Sequence, residues 1–246
     1  MVPYLLQLAD NALILGHRLS EWCGHAPELE TDIALANLAL DLTGQARSLY
    51  QHAAELEGEG RTEDDLAYLR DASAFRHVLL VEQPNQDFAY TIVRQFIFDH
   101  FQHLLYTELL RSKDDWLRDF AARVIKEVRY HLPFSTSWLV RLGDGTPLSH
   151  QKTEQALTDL WPFSKELFHA SPADLEAAHL GIGPDLDWMA RLFEDATGPD
   201  LISAGLTPPT TDWFPKGGKT GIHSEHLGPL LAEMQFLPRA YPGCSW

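Results

Sequence analysis

Apolar residues recur along this chain at spacings of three and four, and alternation with a period of two is hardly detectable. Leu5, Leu6, Ala9, Ala12, Leu13, Leu19 and Trp22 form one stripe and predict a first helix over 4–24. A second helix is predicted over 29–57, a run dense in Ala and Leu with no proline between Glu28 and Glu57. At about 1.5 Å per residue it exceeds roughly 40 Å, the length of a bundle helix. Gly58, Gly60 and the acidic Glu63-Asp64-Asp65 break the pattern, and shorter helical pieces follow to Val81. Pro84-Asn85 marks a turn, and Asp87 is placed to open a third long helix running to Arg111. The turn from Ser112 to Asp115 leads into a fourth helix ending near Leu142. Two successive hairpins of long helices predict an up-down bundle.

Gly143-Asp144-Gly145-Thr146-Pro147 is the strongest punctuation in the first two thirds of the chain. Beyond it the spacing predicts a fifth helix over Ser149 to Phe168 and weaker helices over 173–180 and 185–197. Residues 198–222, rich in Pro, Gly and Thr, predict a loop. A last helix over about 225–237, capped by Ser224, precedes a tail from Pro238 to Trp246. The expectation is one all-α domain over 1–246, with a core bundle at about 4–142 and additional helices and tail at about 149–246.

The most informative stretch is Lys126-Glu127-Val128-Arg129-Tyr130-His131. Four-helix carboxylate proteins bind two metals with a Glu-x-x-His pair on each of two helices, because i, i+3 spacing puts both side chains on one face. Three residues before His131 stands Val128, which cannot coordinate a metal, and Glu127 is rotated from that position by roughly 100°. On the second helix, Asp41-Leu42-Thr43-Gly44-Gln45 puts Leu42 and Gln45 where such a pair would stand. Glu21, Asp99 and His131 remain as inward candidates on three helices. They read as a polar cluster that satisfies itself in the core, or as a mononuclear site of two carboxylates and one histidine. Asp41 reads equally as an exposed-face residue.

Other motifs are weaker. Glu166/His169 and Glu176/His179 match Glu-x-x-His, but they flank Ser171-Pro172 near a helix end and read as incidental. Gly217-Gly218-Lys219-Thr220 lacks the glycine a phosphate-binding loop needs, because Trp213 stands there. Lys216 and Lys219 could still meet a phosphate or an acidic partner. His223-Ser224-Glu225-His226 lacks the spacing of a zinc-protease helix. Phe236, Pro238, Tyr241, Pro242 and Trp246 suit docking onto another surface, or onto the chain's own bundle.

Composition narrows the class. Hydrophobic residues make up 45% of the chain, enough for a globular core, and no apolar run is long enough to span a bilayer. A net charge of −16 argues against nucleic acid or an anionic membrane as partner. With Cys23 and Cys244 alone and no signal-peptide pattern, a cytoplasmic location is expected.

Three segments carry a resemblance: Leu15-Gly16-His17-Arg18-Leu19-Ser20-Glu21-Trp22, the run from Lys126 to His131, and Gly217 to Pro229 continued by Leu231-Ala232-Glu233-Met234-Gln235. With these the chain strongly resembles the C-subunit family of phenylacetyl-CoA epoxidase. The resemblance implies a ferritin-like fold in a multicomponent monooxygenase that uses O₂ and NADPH to epoxidise the ring of phenylacetyl-CoA. It implies a di-iron centre in a homologous catalytic A subunit, and FAD with iron–sulfur in a reductase subunit. This chain would be a non-catalytic partner without a cofactor of its own. Glu21, Asp41, Leu42, Gln45, Asp99, Val128 and His131 would then be the remnant of a di-iron site. Two other classes stand beside it: an autonomous metal-dependent oxidase using Glu21, Asp99 and His131, and a regulatory module binding CoA through Lys216 and Lys219.

Overall fold

The computed structural model describes residues 1–244, which are helical with no strand among them; Trp246 of the predicted docking tail lies outside the described residues. In chain order the helices are α1 (Val2–Ser20), α2 (Leu29–Glu57), α3 (Glu63–Tyr68), α4 (Leu79–Glu82), α5 (Phe88–Leu109), α6 (Asp115–Gly143), α7 (Pro147–Phe168), α8 (Pro172–Leu180), α9 (Leu186–Ser203), α10 (Leu227–Met234) and α11 (Phe236–Ala240). Single 3-10 turns lie at Ala72–Ala74 and Gly218–Thr220. Two compact units divide the chain: Met1–Pro84 with the segment from Lys216 onward, and Asn85–Pro215. No helix among the described residues is long and apolar enough to cross a membrane.

In the first unit α1 and α2 run antiparallel. Asp10 meets Tyr50 near one end of the pair, and Gly16 lies against Ala39, Leu42 and Thr43 further along. The buried Asp10 carboxylate accepts from Tyr50 Oη (2.5 Å), from Arg70 Nη1 (3.2 Å) and Nη2, and from the Arg76 backbone N–H (2.7 Å). Burial works against the Arg70 charge, but Asp10 and Tyr50 more than offset it and hold the guanidinium protonated. Burial, reinforced by Asp10, keeps the Tyr50 phenol neutral. The C-terminal helices of this unit are anchored by Gln235, whose side-chain amide donates to the carbonyls of Ala67 (3.3 Å) and Arg70 (3.0 Å). One face of α2 stays apolar and open, with Leu29 72%, Ile33 53% and Leu40 68% exposed.

In the second unit α5 and α6 form another antiparallel pair, as the contacts Phe88–Trp138 and Tyr106–Phe120 show. Asp87 caps α5 by accepting from Tyr90 N (2.9 Å), and Asp114 caps α6 by accepting from Leu117 N (2.8 Å). The buried positions of α6, Leu117, Phe120, Ala121, Val124, Ile125, Val128, His131, Ser135 and Leu139, keep the i, i+3/i+4 rhythm read from the sequence. Helices α7 and α9 cover α5 through aromatic packing: Phe193 meets Trp161, Phe168 and His100, and Phe101 meets Phe168.

Four boundaries differ from expectation. The first helix stops at Ser20, because the Asp32 carboxylate accepts from the backbone N–H of Gly24 (2.7 Å) and Ala26 (3.3 Å) and holds a loop there. The helix predicted over 185–197 continues to Ser203 through Pro199, since the buried stripe of Phe193, Thr197 and Leu201 carries on. The last helix starts at Leu227, with Ser224 outside it and without a side-chain cap. It also breaks at Gln235, where Pro238 cannot donate back along a continuous helix.

Gly218 packs so closely that a Cβ there would lie 2.2 Å from the His77 carbonyl oxygen and 3.0 Å from Leu79 N. Gly218→Ala is expected to cost roughly 1–3 kcal/mol by forcing backbone apart. A Cβ at Gly44 meets nothing within 4 Å, so Gly44→Ala on α2 should gain roughly 0.5–1 kcal/mol. Urea denaturation of both variants against the parent chain checks the opposite signs.

Candidate metal-ligand positions and a buried histidine–glutamate cluster

The α5/α6 pair brings Asp99 and His131 together, both fully buried. Gln95 Nε2, one turn before Asp99 on α5, donates to Asp99 Oδ1 at 2.6 Å. Ser135 Oγ, one turn after His131 on α6, donates to Asp99 Oδ2 at 2.6 Å. Each carboxylate oxygen therefore has a hydrogen-bond donor of its own. Burial pushes the Asp99 carboxyl up to about 6, while attraction to His131 and the bonds from Ser135 and Gln95 pull the other way. Val128 lies on the same buried face of α6, and Glu127 is half-buried beside it.

The remaining sequence candidates lie in the first unit. Leu42 and Gln45 are buried on one face of α2, and Asp41 is half-buried. Glu21 is not inward. Because α1 ends at Ser20, Glu21 falls at the helix cap, where its exposed carboxylate accepts from Arg18 Nη1 at 2.8 Å. Lys216 is exposed, but Lys219 is 7% exposed in the 3-10 turn, so the two lysines do not present themselves alike. Of the incidental Glu-x-x-His pairs, Glu166 is buried while His169 is exposed, and Glu176 and His179 are both exposed.

Sequence reading missed a buried cluster in the first unit. Glu82, the last residue of α4, accepts at Oε2 from His77 Nε2 (2.7 Å) and His223 Nδ1 (2.9 Å). Its Oε1 accepts from the Ser224 backbone N–H at 2.6 Å. Nε2 of His223 lies within hydrogen-bond distance, 3.1 Å, of the Phe75 carbonyl oxygen. The two imidazoles stack with centroids 4.3 Å apart. Arg18 adds hydrogen bonds from Nε (3.1 Å) and Nη2 (2.8 Å) to the Glu82 backbone carbonyl. Burial opposes the Glu82 charge, but the donors from His223, His77 and Ser224 hold its carboxyl down to about 2. Burial lowers His77 and favours its neutral ring. No local spacing announces this cluster, because His223 is remote in sequence from the other two.

Asp99 generates a pH prediction. An acid whose folded pKa lies above its unfolded value binds its proton more tightly when folded, so stability falls as pH rises through the interval between the two. For Asp99 the interval runs from the ordinary 3.8 to about 6. Asp99→Asn should remove this slope and gain on the parent chain by up to roughly 3 kcal/mol across it. Urea unfolding of both proteins from acid to neutral pH reads the difference.

Comparison with known proteins adds a second line to this geometry. Residues 1–246 match the family described as Phenylacetic acid catabolic protein. The chain is 50% identical over 246 residues to the C subunit of the 1,2-phenylacetyl-CoA epoxidase of Escherichia coli (strain K12), covering 100% of this chain and 99% of that protein. Both similarities run from end to end, and the chain belongs to the phenylacetic acid catabolic protein family.

Proposed function

We propose that this chain is the non-catalytic structural subunit of a multicomponent 1,2-phenylacetyl-CoA epoxidase. In this reading the di-iron centre belongs to a catalytic partner subunit, FAD and iron–sulfur belong to a reductase subunit, and this chain holds the catalytic partner's helices in position. The fold is ferritin-like, and each unit supplies one long antiparallel helix pair of the kind such a fold uses. End-to-end similarity to a protein named as the C subunit of that enzyme supports the assignment.

The observation that carries the non-catalytic part is the chemistry of the buried positions. Leu42, Gln45 and Val128 are buried where Glu-x-x-His pairs would need Glu, His and Glu. Two hard cations need about four carboxylates and two imidazoles. The second unit offers Asp99 and His131, and both Asp99 oxygens already accept hydrogen bonds. This donor set does not fit a di-iron centre. The same facts weaken an autonomous oxidase built on Glu21, Asp99 and His131, because Glu21 is at the surface beside Arg18. A CoA site on Lys216 and Lys219 is weakened by the burial of Lys219.

The test is iron content and turnover of phenylacetyl-CoA, for the chain alone and after co-expression with the catalytic partner. The isolated chain is expected to hold no stoichiometric iron and to form no epoxide, while the complex holds about two irons per catalytic partner. Stoichiometric iron in the isolated chain, lost on Asp99→Asn, would overturn the proposal. A second variant probes the lost ligand directly. Val128→Glu restores the Glu-x-x-His spelling on α6, but buries a carboxylate with no metal to compensate it. It is expected to cost roughly 3 kcal/mol at neutral pH, and less in acid where the new carboxyl is protonated. Recovery of that stability on adding ferrous iron would count against the reading.

A further inference from the structure

The buried group of His77, Glu82 and His223 has no part in the remnant-site reading. Its ligating atoms, two imidazole nitrogens and one carboxylate oxygen, all lie within 4.8 Å of one another. We propose that His77, Glu82 and His223 bind one divalent transition-metal ion, zinc by the chemistry of the donors, as a structural clasp that fastens the segment around His223 to the segment from Phe75 to Glu82.

The surroundings are those of a metal site as much as the donors are. A ligating histidine presents one nitrogen when the other is held by a hydrogen bond, and His223 Nε2 is held by the Phe75 carbonyl at 3.1 Å, which presents Nδ1. Glu82 is oriented in the same way: Ser224 N–H holds Oε1 at 2.6 Å, Arg18 holds the backbone carbonyl, and Oε2 is left toward the histidines. The side chains of His77 and Glu82 are 0% exposed and that of His223 is 5% exposed, so an ion here is shielded from solvent.

The distances state what binding must change. The nitrogens stand 2.7 and 2.9 Å from Glu82 Oε2, the separations of hydrogen bonds. Tetrahedral zinc with bonds of about 2.0–2.1 Å separates its ligands by about 3.3 Å, so the cluster must open by roughly half an ångström. Both histidines that must move lie outside the helices. His77 lies in an extended segment before α4, and its Nδ1 is buried with no hydrogen-bond partner among the described residues, so Glu82 alone anchors the ring through a nitrogen. His223 lies between the 3-10 turn and α10, outside any helix. Three protein donors leave a fourth position to a non-protein ligand.

The test uses the full chain carrying Cys23→Ser and Cys244→Ser, because both thiols are exposed and would take zinc on their own. The protein is stripped with chelator, loaded with Zn²⁺, desalted and analysed for metal. The expected result is about one zinc per chain, falling to about a tenth or less in Glu82→Gln, with proteolysis around His223 increased by chelator and reversed by Zn²⁺. Co²⁺ loading of the same parent chain, giving visible bands of an N/O site, supplies a readout that does not depend on the variant folding; His77→Gln is the second variant. Absence of zinc and of cobalt bands from the parent, or equal zinc in parent and Glu82→Gln, would overturn the proposal and leave the cluster a hydrogen-bonded clasp. Iron lost on Asp99→Asn but kept in Glu82→Gln would strike the preceding proposal and not this one.

Discussion

A carboxylate with no exposure to water sits at the centre of the first unit, and three groups from separate parts of the chain converge on it. Asp10 itself comes from α1; Tyr50 reaches it from α2, Arg70 from just past the end of α3, and the Arg76 N–H from the strap that follows. An unpaired buried charge costs several kcal/mol, so none of these elements can leave without stranding another's polar group. The α1/α2 register, the course of residues 69–76 and the seat of Gln235 on the Arg70 carbonyl are fixed by this one requirement. Hydrophobic burial supplies most of the folding drive, but it is non-directional. The carboxylate supplies the direction.

The second unit handles its buried acid differently. Asp99 has no guanidinium against it; an amide, a hydroxyl and a nearby imidazole surround it, and the carboxyl stays easier to protonate. Gln95 and Ser135 each satisfy one of its oxygens, which is the condition under which a buried acid can persist in a core.

The helices were legible because burial imposes its period on the sequence, most clearly in α2, α5 and α6. Their ends were less so. Asp87, read as a first-turn residue, instead caps α5 from just outside it, and the stop at Ser20 depends on Asp32 reaching back from the next helix, which no local pattern encodes. Pro199 has the character of a breaker, because it loses a donor and crowds the carbonyl four residues back, but the stripe of Phe193, Thr197 and Leu201 stays buried on both sides of it and carries the helix through. Asp99, Val128 and His131 could be placed inward from periodicity alone, and Glu21 could not, because it lies one residue past the end of its helix. The His77–Glu82–His223 cluster was invisible for a simpler reason: it is made by tertiary folding, and His223 is separated from Glu82 by 141 positions.

The open face of α2 carries a colloidal consequence. Leu29, Ile33 and Leu40 present an apolar strip to water on a chain whose net charge is −16. Like-charged molecules repel at range, and that repulsion keeps such strips from finding one another. Its reach is a Debye length, about 10 Å at 0.1 M salt and about 3 Å at 1 M. The free chain is therefore guarded by electrostatics where it is not guarded by shape, and concentrated salt lowers the barrier to self-association while leaving the fold itself intact.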